Sequence, residues 1–335
     1  MSGLAADTSA STRVRRTLGA HGWTIGVWLL FAVLLAWYAD LIPRFGGFEV
    51  SSIARGALPL AFLAMAQAVI VIGGGIDLSV GSMMILANVL CARLMETQGL
   101  VTAMLIAVLV VAIGATLNGL VGWLIARTKV PDIVVTLATL FIYGGVALWI
   151  LPSPGGGMPG ELRYVFTGAT GGIGANPWPS IGVVALAMLC MWYVMRSTNL
   201  GLSIYASGSH RQSAFLSGVD VVRSKVTSYA LGGGLAAFAG LVTTAITNQG
   251  DPRFAIALDA TLNSVAAVVL GGIALTGGVG SLLGAVAAGF CLFMLSPILT
   301  SLRVNPNQAQ VVQGTLIVLV VMAGGWWQTR RERQT

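Results

Sequence analysis

Ten apolar runs occupy most of the chain, near 23–42, 57–73, 82–95, 100–126, 132–151, 179–196, 226–247, 259–276, 281–300 and 309–327, separated by polar or glycine-rich stretches. A helix that crosses a bilayer needs about 20 mostly apolar residues. The pattern therefore predicts an all-α polytopic membrane protein of about ten transmembrane helices. The third run is short and the eighth and ninth are rich in glycine, and eight full spans with two re-entrant runs would also fit. Two connections are long. Residues 152–179, rich in glycine and proline, read either as a solvated loop or as a docking surface for a soluble partner, since loops of that length are often functional. Within 197–225, the stretch 209–216 can form about two helical turns and stops at Gly218.

Composition supports the same class. Of 335 residues, 56% are hydrophobic and 9% charged, against about 25% charged in an ordinary soluble domain. No hydrophilic stretch reaches the ~50 residues of a separate soluble domain. The expected organisation is one transmembrane domain, 23–327, between polar tails 1–22 and 328–335. A net charge of +7 would suggest nucleic acid in a soluble protein. Here the basic residues lie between apolar runs, where they orient the chain in the membrane. With ten alternating spans and the N-terminus inside, cytoplasmic segments hold 12 of the 18 Lys and Arg residues and outer segments 5, with Arg93 at the outer end of the third run. Both termini are thus expected in the cytoplasm. The first helix is expected to be uncleaved, because no A-x-A-like site follows it. Cys91, Cys190 and Cys291 sit singly in apolar runs and give no metal or redox spacing.

A faint internal repeat pairs 68–82 (AVIVIGGGIDLSVGS) with 267–281 (AVVLGGIALTGGVGS), aligned with a small gap. Each has a β-branched apolar run, a glycine cluster, Ile-x-Leu-Ser/Thr and Val-Gly-Ser. Paired glycine-interrupted segments point to a transport site, because a broken helix presents free backbone groups to a solute. Glycine-rich membrane helices also resemble one another by chance. Asp77 lies in the first break, where a carboxylate can accept bonds from solute hydroxyls or cap the next helix with Ser79 and Ser82. Asp259 reads as an N-cap of the eighth span, and Asp132, after Pro131, as part of a helix's first turn. Gln67, Asn88, Asn118, Thr136, Thr139 and Asn263 are uncharged polar residues inside spans. They form either a polar pathway lining or ordinary interhelical bonds. No catalytic constellation is present, and the phosphate-cradling G-x-x-x-x-G-K-[ST] pattern is absent, so any ATP chemistry must belong to another subunit.

The segment Gly74-Gly75-Ile76-Asp77-Leu78-Ser79-Val80-Gly81-Ser82 resembles the GGIDLSVGS signature of the ribose/xylose/arabinose-type ABC permeases. Ala266-Ala267-Val268-Val269-Leu270-Gly271-Gly272, followed by Leu275-Thr276-Gly277-Gly278-Val279-Gly280, resembles a second stretch of that family. The run 206–221 (ASGSHRQSAFLSGVDV) resembles its ATPase-coupling segment. Val130-Pro131 with Thr136-Leu137 resembles its entry to the fifth span. The likeness covers residues from about 50 to 325. It departs at His210 and Arg211, where the family usually has Asn and Glu, and at Ser213, Phe215 and Pro131-Asp132-Ile133.

The resemblance implies a bacterial inner-membrane importer. A permease pair, formed by a second copy or a different chain, would work with ATPase subunits carrying ATP and Mg and with a periplasmic sugar-binding protein. The coupling segment, with His210, Arg211, Ala214, Leu216, Ser217 and Gly218, would dock on the ATPase. This chain would hold no cofactor or metal. Asp77, Ser79, Ser82, Gln67, Asn88, Thr136 and Asn263 are the expected pathway residues. Other hydroxylated solutes, such as an autoinducer or a nucleoside, fit the same scaffold. An ion-coupled carrier would need to use Asp77.

Overall fold

The computed structural model describes residues 8–128, 130–168 and 176–305, side chains from residue 22 onward, and a few helical positions between 308 and 322. Residues 1–7 of the predicted N-terminal tail and the whole C-terminal tail lie outside the described residues, as does most of the tenth apolar run, whereas 8–22 are helical and continuous with the first span.

Thirteen helices follow one another among the described residues: α1 (Thr8–Leu41), α2 (Gly47–Gly56), α3 (Leu58–Ile72), α4 (Val80–Met95), α5 (Leu100–Thr128), α6 (Asp132–Ile150), α7 (Gly160–Thr167), α8 (Trp178–Ser197), α9 (Asn199–Ser209), α10 (Arg211–Leu216), α11 (Val221–Thr247), α12 (Phe254–Leu270) and α13 (Leu282–Ser301). Among the described residues there is no named strand, only an isolated bridge between Gly155 and Gly250. Seven segments among the described residues are long and apolar enough to cross a membrane, with α2 and α3 counted together as 47–72. The all-α polytopic expectation is met, and nine of the ten predicted runs lie on these helices.

Two of the nine are short and are not extended by a neighbouring helix as the 15-residue α3 is by α2. α4 has 16 residues and α12 has 17, or roughly 25 Å at 1.5 Å per residue, less than the ~30 Å hydrocarbon core. Each belongs to a hairpin, α3–α4 or α12–α13, whose turn is one of the glycine-rich stretches. Both turns lie at the same end of the molecule, together with the start of α6 and the α9–α10 region, as the bonds below show. At the opposite end, Gly157 N donates to Ala92 O at 3.0 Å, Met158 N to Asn248 Oδ1 at 3.1 Å and Arg163 Nε to Ala245 O at 3.1 Å. This is the alternation that the order of runs predicts.

The connection at 152–179 is not a bare loop. Pro159 and Glu161 start α7, and Gly168, at φ +65°, stops it. α7 buries Leu162 and Phe166, and the Phe166 ring stands edge-on to Phe238 of α11 at 5.8 Å. α11 lies in the centre, against α3, α4 and α5. The α5 contact is made through small residues: a Cβ on Gly114 would meet the Ala237 methyl at 2.5 Å and the Gly233 carbonyl at 2.8 Å. α3 is buried on every side, whereas α1, α5 and α8 turn large apolar side chains outward, such as Leu29, Val33, Leu105, Val108, Leu186 and Leu189. An apolar exterior of that extent is a bilayer-facing surface.

Candidate functional site

The two glycine-rich turns have the same local geometry. After α3, the amides of Gly73, Gly74 and Gly75 donate to the carbonyls of Val69, Val71 and Ile70; after α12, those of Gly271, Gly272 and Ile273 donate to Ala267, Val269 and Val268. Gly74 at φ +72° and Gly272 at φ +80° occupy the left-handed position that closes each helix. The faint sequence repeat is therefore a structural one, although the shared bonding pairs Gly74 with Gly272 rather than with Gly271. The turns also touch. Gly278 N donates to Ile72 O at 2.8 Å, and a Cβ on Gly277 would lie 2.8 Å from Gly74 Cα. The end of α9 wedges between them: a Cβ on Gly74 would lie 3.3 Å from Gly208 Cα, and Tyr205 of α9 donates to Gly280 O at 3.0 Å.

Asp77 stands inside the first break, fully buried. Its Oδ1 accepts from Ser79 N at 2.7 Å and Ser79 Oγ at 2.6 Å, and its Oδ2 accepts from Asn118 Nδ2 at 2.9 Å. Asn118 Oδ1 in turn accepts from the Tyr143 hydroxyl at 3.2 Å. The carboxylate thus ties the break to α5 and α6, and Ser79 ends the break as the residue before α4. Ser82 Oγ and both polar atoms of Gln67 are buried with no hydrogen-bond partner. Such groups are costly in an apolar interior unless water or a solute meets them.

A second polar cluster grips the break from outside. Asp132, in the first turn of α6 as expected, is not merely a helix-end carboxylate. Its Oδ2 accepts from Lys225 Nζ at 2.5 Å, Tyr229 OH at 2.9 Å and Ile76 N at 3.4 Å. Lys225 also donates to Gly74 O at 3.1 Å. Thr136 Oγ1 bonds Asp132 O at 2.9 Å and reaches Ile76 O at 3.5 Å. Lys225 and Tyr229 carried no sequence signal beyond their i, i+4 spacing.

The remaining polar residues lie elsewhere. Asn88 is at the opposite end, where Nδ2 donates to Thr244 Oγ1 at 2.9 Å and Gln249 O at 3.0 Å while Oδ1 accepts from Asp251 N at 2.8 Å. Thr139 donates to Thr136 O at 3.0 Å, and Asn263 is half-buried on α12. Asp259 is not an N-cap. α12 begins at Phe254, because Asp251 Oδ1 accepts from Arg253 N at 3.1 Å and turns the chain after Pro252. Asp251 and Pro252 were the start signal, and Asp259 sits inside the helix, exposed. The Arg253 guanidinium bonded to Asp251 holds that carboxyl below its ordinary range.

The expected helix at 209–216 is shorter and is preceded by α9. His210 is extended, and its Nδ1 accepts from Ser213 N at 3.2 Å, so it caps α10. Gly218, at φ +85°, stops α10 as predicted: its amide donates to Phe215 O and that of Val219 to Ala214 O, each at 3.0 Å. Ala214 is buried, whereas Phe215 and Leu216 are 69% and 78% exposed. Beside them runs a groove of about 600 Å³ bordered by Arg211, Gln212, Val219 and Asp220.

Broken helices inside a buried bundle, joined to a short exposed helix at one end, define a multi-pass membrane protein of transporter type. The family model described as "Branched-chain amino acid transport system / permease component" matches residues 50–321, and the chain belongs to this permease family. It is 27% identical to the Ribose import permease protein RbsC of Haemophilus influenzae, over 89% of this chain and 92% of the relative. It is 32% identical to the Fructose import permease protein FruG of Bifidobacterium longum, over 78% of each, and 31% identical to the Autoinducer 2 import system permease protein LsrC of Escherichia coli, over 82% and 78%. The resemblance to sugar-type ABC permeases is thereby borne out. No solved structure matches the chain significantly.

Proposed function

We propose that the chain is the transmembrane permease subunit of a binding-protein-dependent ABC importer, moving a monosaccharide or similar hydroxylated solute with ATP hydrolysed on a separate subunit. The observation that carries this reading is the meeting of two matched glycine-rich helix breaks with the end of α9, directly before an exposed, doubly capped α10. Relatives that carry ribose, fructose and autoinducer 2 support a hydroxylated cargo over the branched-chain amino acid of the family's title. An ion-coupled carrier is disfavoured, because both oxygens of Asp77 are taken by Ser79 and Asn118.

In this reading the end with α10 faces the cytoplasm. Phe215 and Leu216 insert into a groove of the ATPase as a helix-in-groove contact. ATP and Mg remain on that subunit, and a periplasmic binding protein delivers the solute at the opposite end. ATP binding shifts the population between inward- and outward-open states. The deciding experiment is uptake of a labelled pentose and hexose panel into proteoliposomes holding the chain, its ATPase and its binding protein, with and without internal ATP. ATP-dependent accumulation is expected. Leu216→Asp should leave the permease folded and lower uptake at least tenfold, and accumulation that follows an ion gradient and ignores ATP would overturn the proposal.

A second permease copy covers the exposed face of α12. A carboxylate such as Asp259 facing lipid near a helix centre costs about 3 kcal/mol, so that face meets protein or water instead. With the native cysteines removed, Leu262→Cys should give a cross-linked dimer with a short bifunctional reagent. Monomer alone at full labelling would reject this face.

A further inference from the structure

We infer that Lys225, paired with Asp132, is the positioning residue that ties the α10 segment to the first helix break; the inference rests on the permease reading above. The break is gripped on two sides by the helices that flank α10. On one side lies α9, with Gly208 against Gly74 and Tyr205 bonded to Gly280. On the other lies the start of α11, which follows α10 after only the Gly218 turn and the Asp220 cap, whose Oδ1 accepts from Arg223 N at 2.9 Å.

Three side chains in the first turns of α11 face the break. Lys225 bonds Gly74 O and Asp132 Oδ2 at once. Ser228 Oγ lies 3.0 Å from where a Cβ on Gly73 would stand. Tyr229, fully buried, lies within bonding distance of both Ile76 O (3.2 Å) and Asp132 Oδ2 (2.9 Å). The Lys225 ammonium also sits 5.4 Å from the centroid of the Tyr229 ring. α11 is one continuous helix from Val221 through Lys225 and Tyr229, so a shift of its first turn, which follows α10 after the Gly218 turn, carries these side chains with it. The pair is mostly shielded, with side chains 12% and 20% exposed. An ion pair in such surroundings is held together strongly, because separating it strands two charges in a poorly solvating medium. Lys225 therefore moves with Asp132 and carries the Gly74 carbonyl along. The contact to that carbonyl is what joins the movement to the break rather than to α6 alone.

The test separates a relay from a simple brace. Lys225→Met strands Asp132 and should weaken the fold. Lys225→Met with Asp132→Asn strands no charge and should melt near the parent. In that double variant we expect hydrogen exchange at the 74–79 amides of the purified permease to rise at least tenfold. In the reconstituted transporter, ATP hydrolysis should persist while uptake per ATP falls about tenfold, and Lys225→Arg should restore coupling in part. Unchanged exchange in the double variant overturns the inference, as does faster exchange with parental uptake per ATP. If the parent shows no ATP-dependent uptake while exchange at 74–79 still rises, the permease reading fails and the clasp on the break stands.

Discussion

Asp77→Leu should leave little folded protein in the membrane, whereas Asp77→Asn should assemble. The Leu variant removes the acceptor for three donors at once: Ser79 N, Ser79 Oγ and Asn118 Nδ2. Each buried donor left unpaired costs about 1–3 kcal/mol, so the loss is on the order of 3 kcal/mol or more against a typical total of roughly 5–15 kcal/mol. The Asn variant keeps an acceptor for Ser79. Its new amide donor meets Asn118, which can turn its own amide by half a rotation and then donate to the Tyr143 hydroxyl. Fluorescence-detected size exclusion and melting in detergent read the outcome. A Leu variant that melts within a degree or two of the parent would show that these bonds contribute little. An assembled Asn variant without uptake would make the carboxylate a solute contact, and one with full uptake would make it an anchor.

Gly208→Val should be the most damaging single change at the junction of the two breaks. A Cβ there would run into the Ile72 carbonyl oxygen and come within 2.8 Å of Gly278 N, two backbone atoms already bonded to each other at 2.8 Å. Neither can swing aside as a side chain would. Even Gly208→Ala should cost about 2 kcal/mol through forced displacement, with more for Val. Gly182, within α8, supplies the control: no atom lies within 4 Å of its would-be Cβ. Gly182→Ala should be neutral or stabilise by up to ~1 kcal/mol, because alanine has less backbone freedom to lose in a helix. Equal melting of the Gly208→Ala and Gly182→Ala variants would contradict the close packing of α9 against the breaks.

The apolar runs located nine helices, though α1 begins 15 residues earlier than its run and α12 is shifted upstream, and Gly218 marked the end of α10, because span length, helix stops and glycine turns are properties of a short stretch of chain. The likeness between 68–82 and 267–281 gave the two breaks for the same reason. α7 was missed because a solvent-exposed face and two buried side chains, Leu162 and Phe166, leave no long apolar run. Asp259 was misplaced because the Asp251-Pro252 turn moved the start of α12 upstream. In a chain this apolar, hydrophobicity marks the helices without marking which side of each faces a neighbour. Only the tertiary structure put Lys225 beside Asp132, 93 positions apart, set Gly208 against Ile72, and gave Asp77 to Asn118 and Ser79 while leaving Gln67 and Ser82 without partners. A buried polar group is satisfied by whichever helix lies next to it, and that choice is made by the packing of the whole bundle.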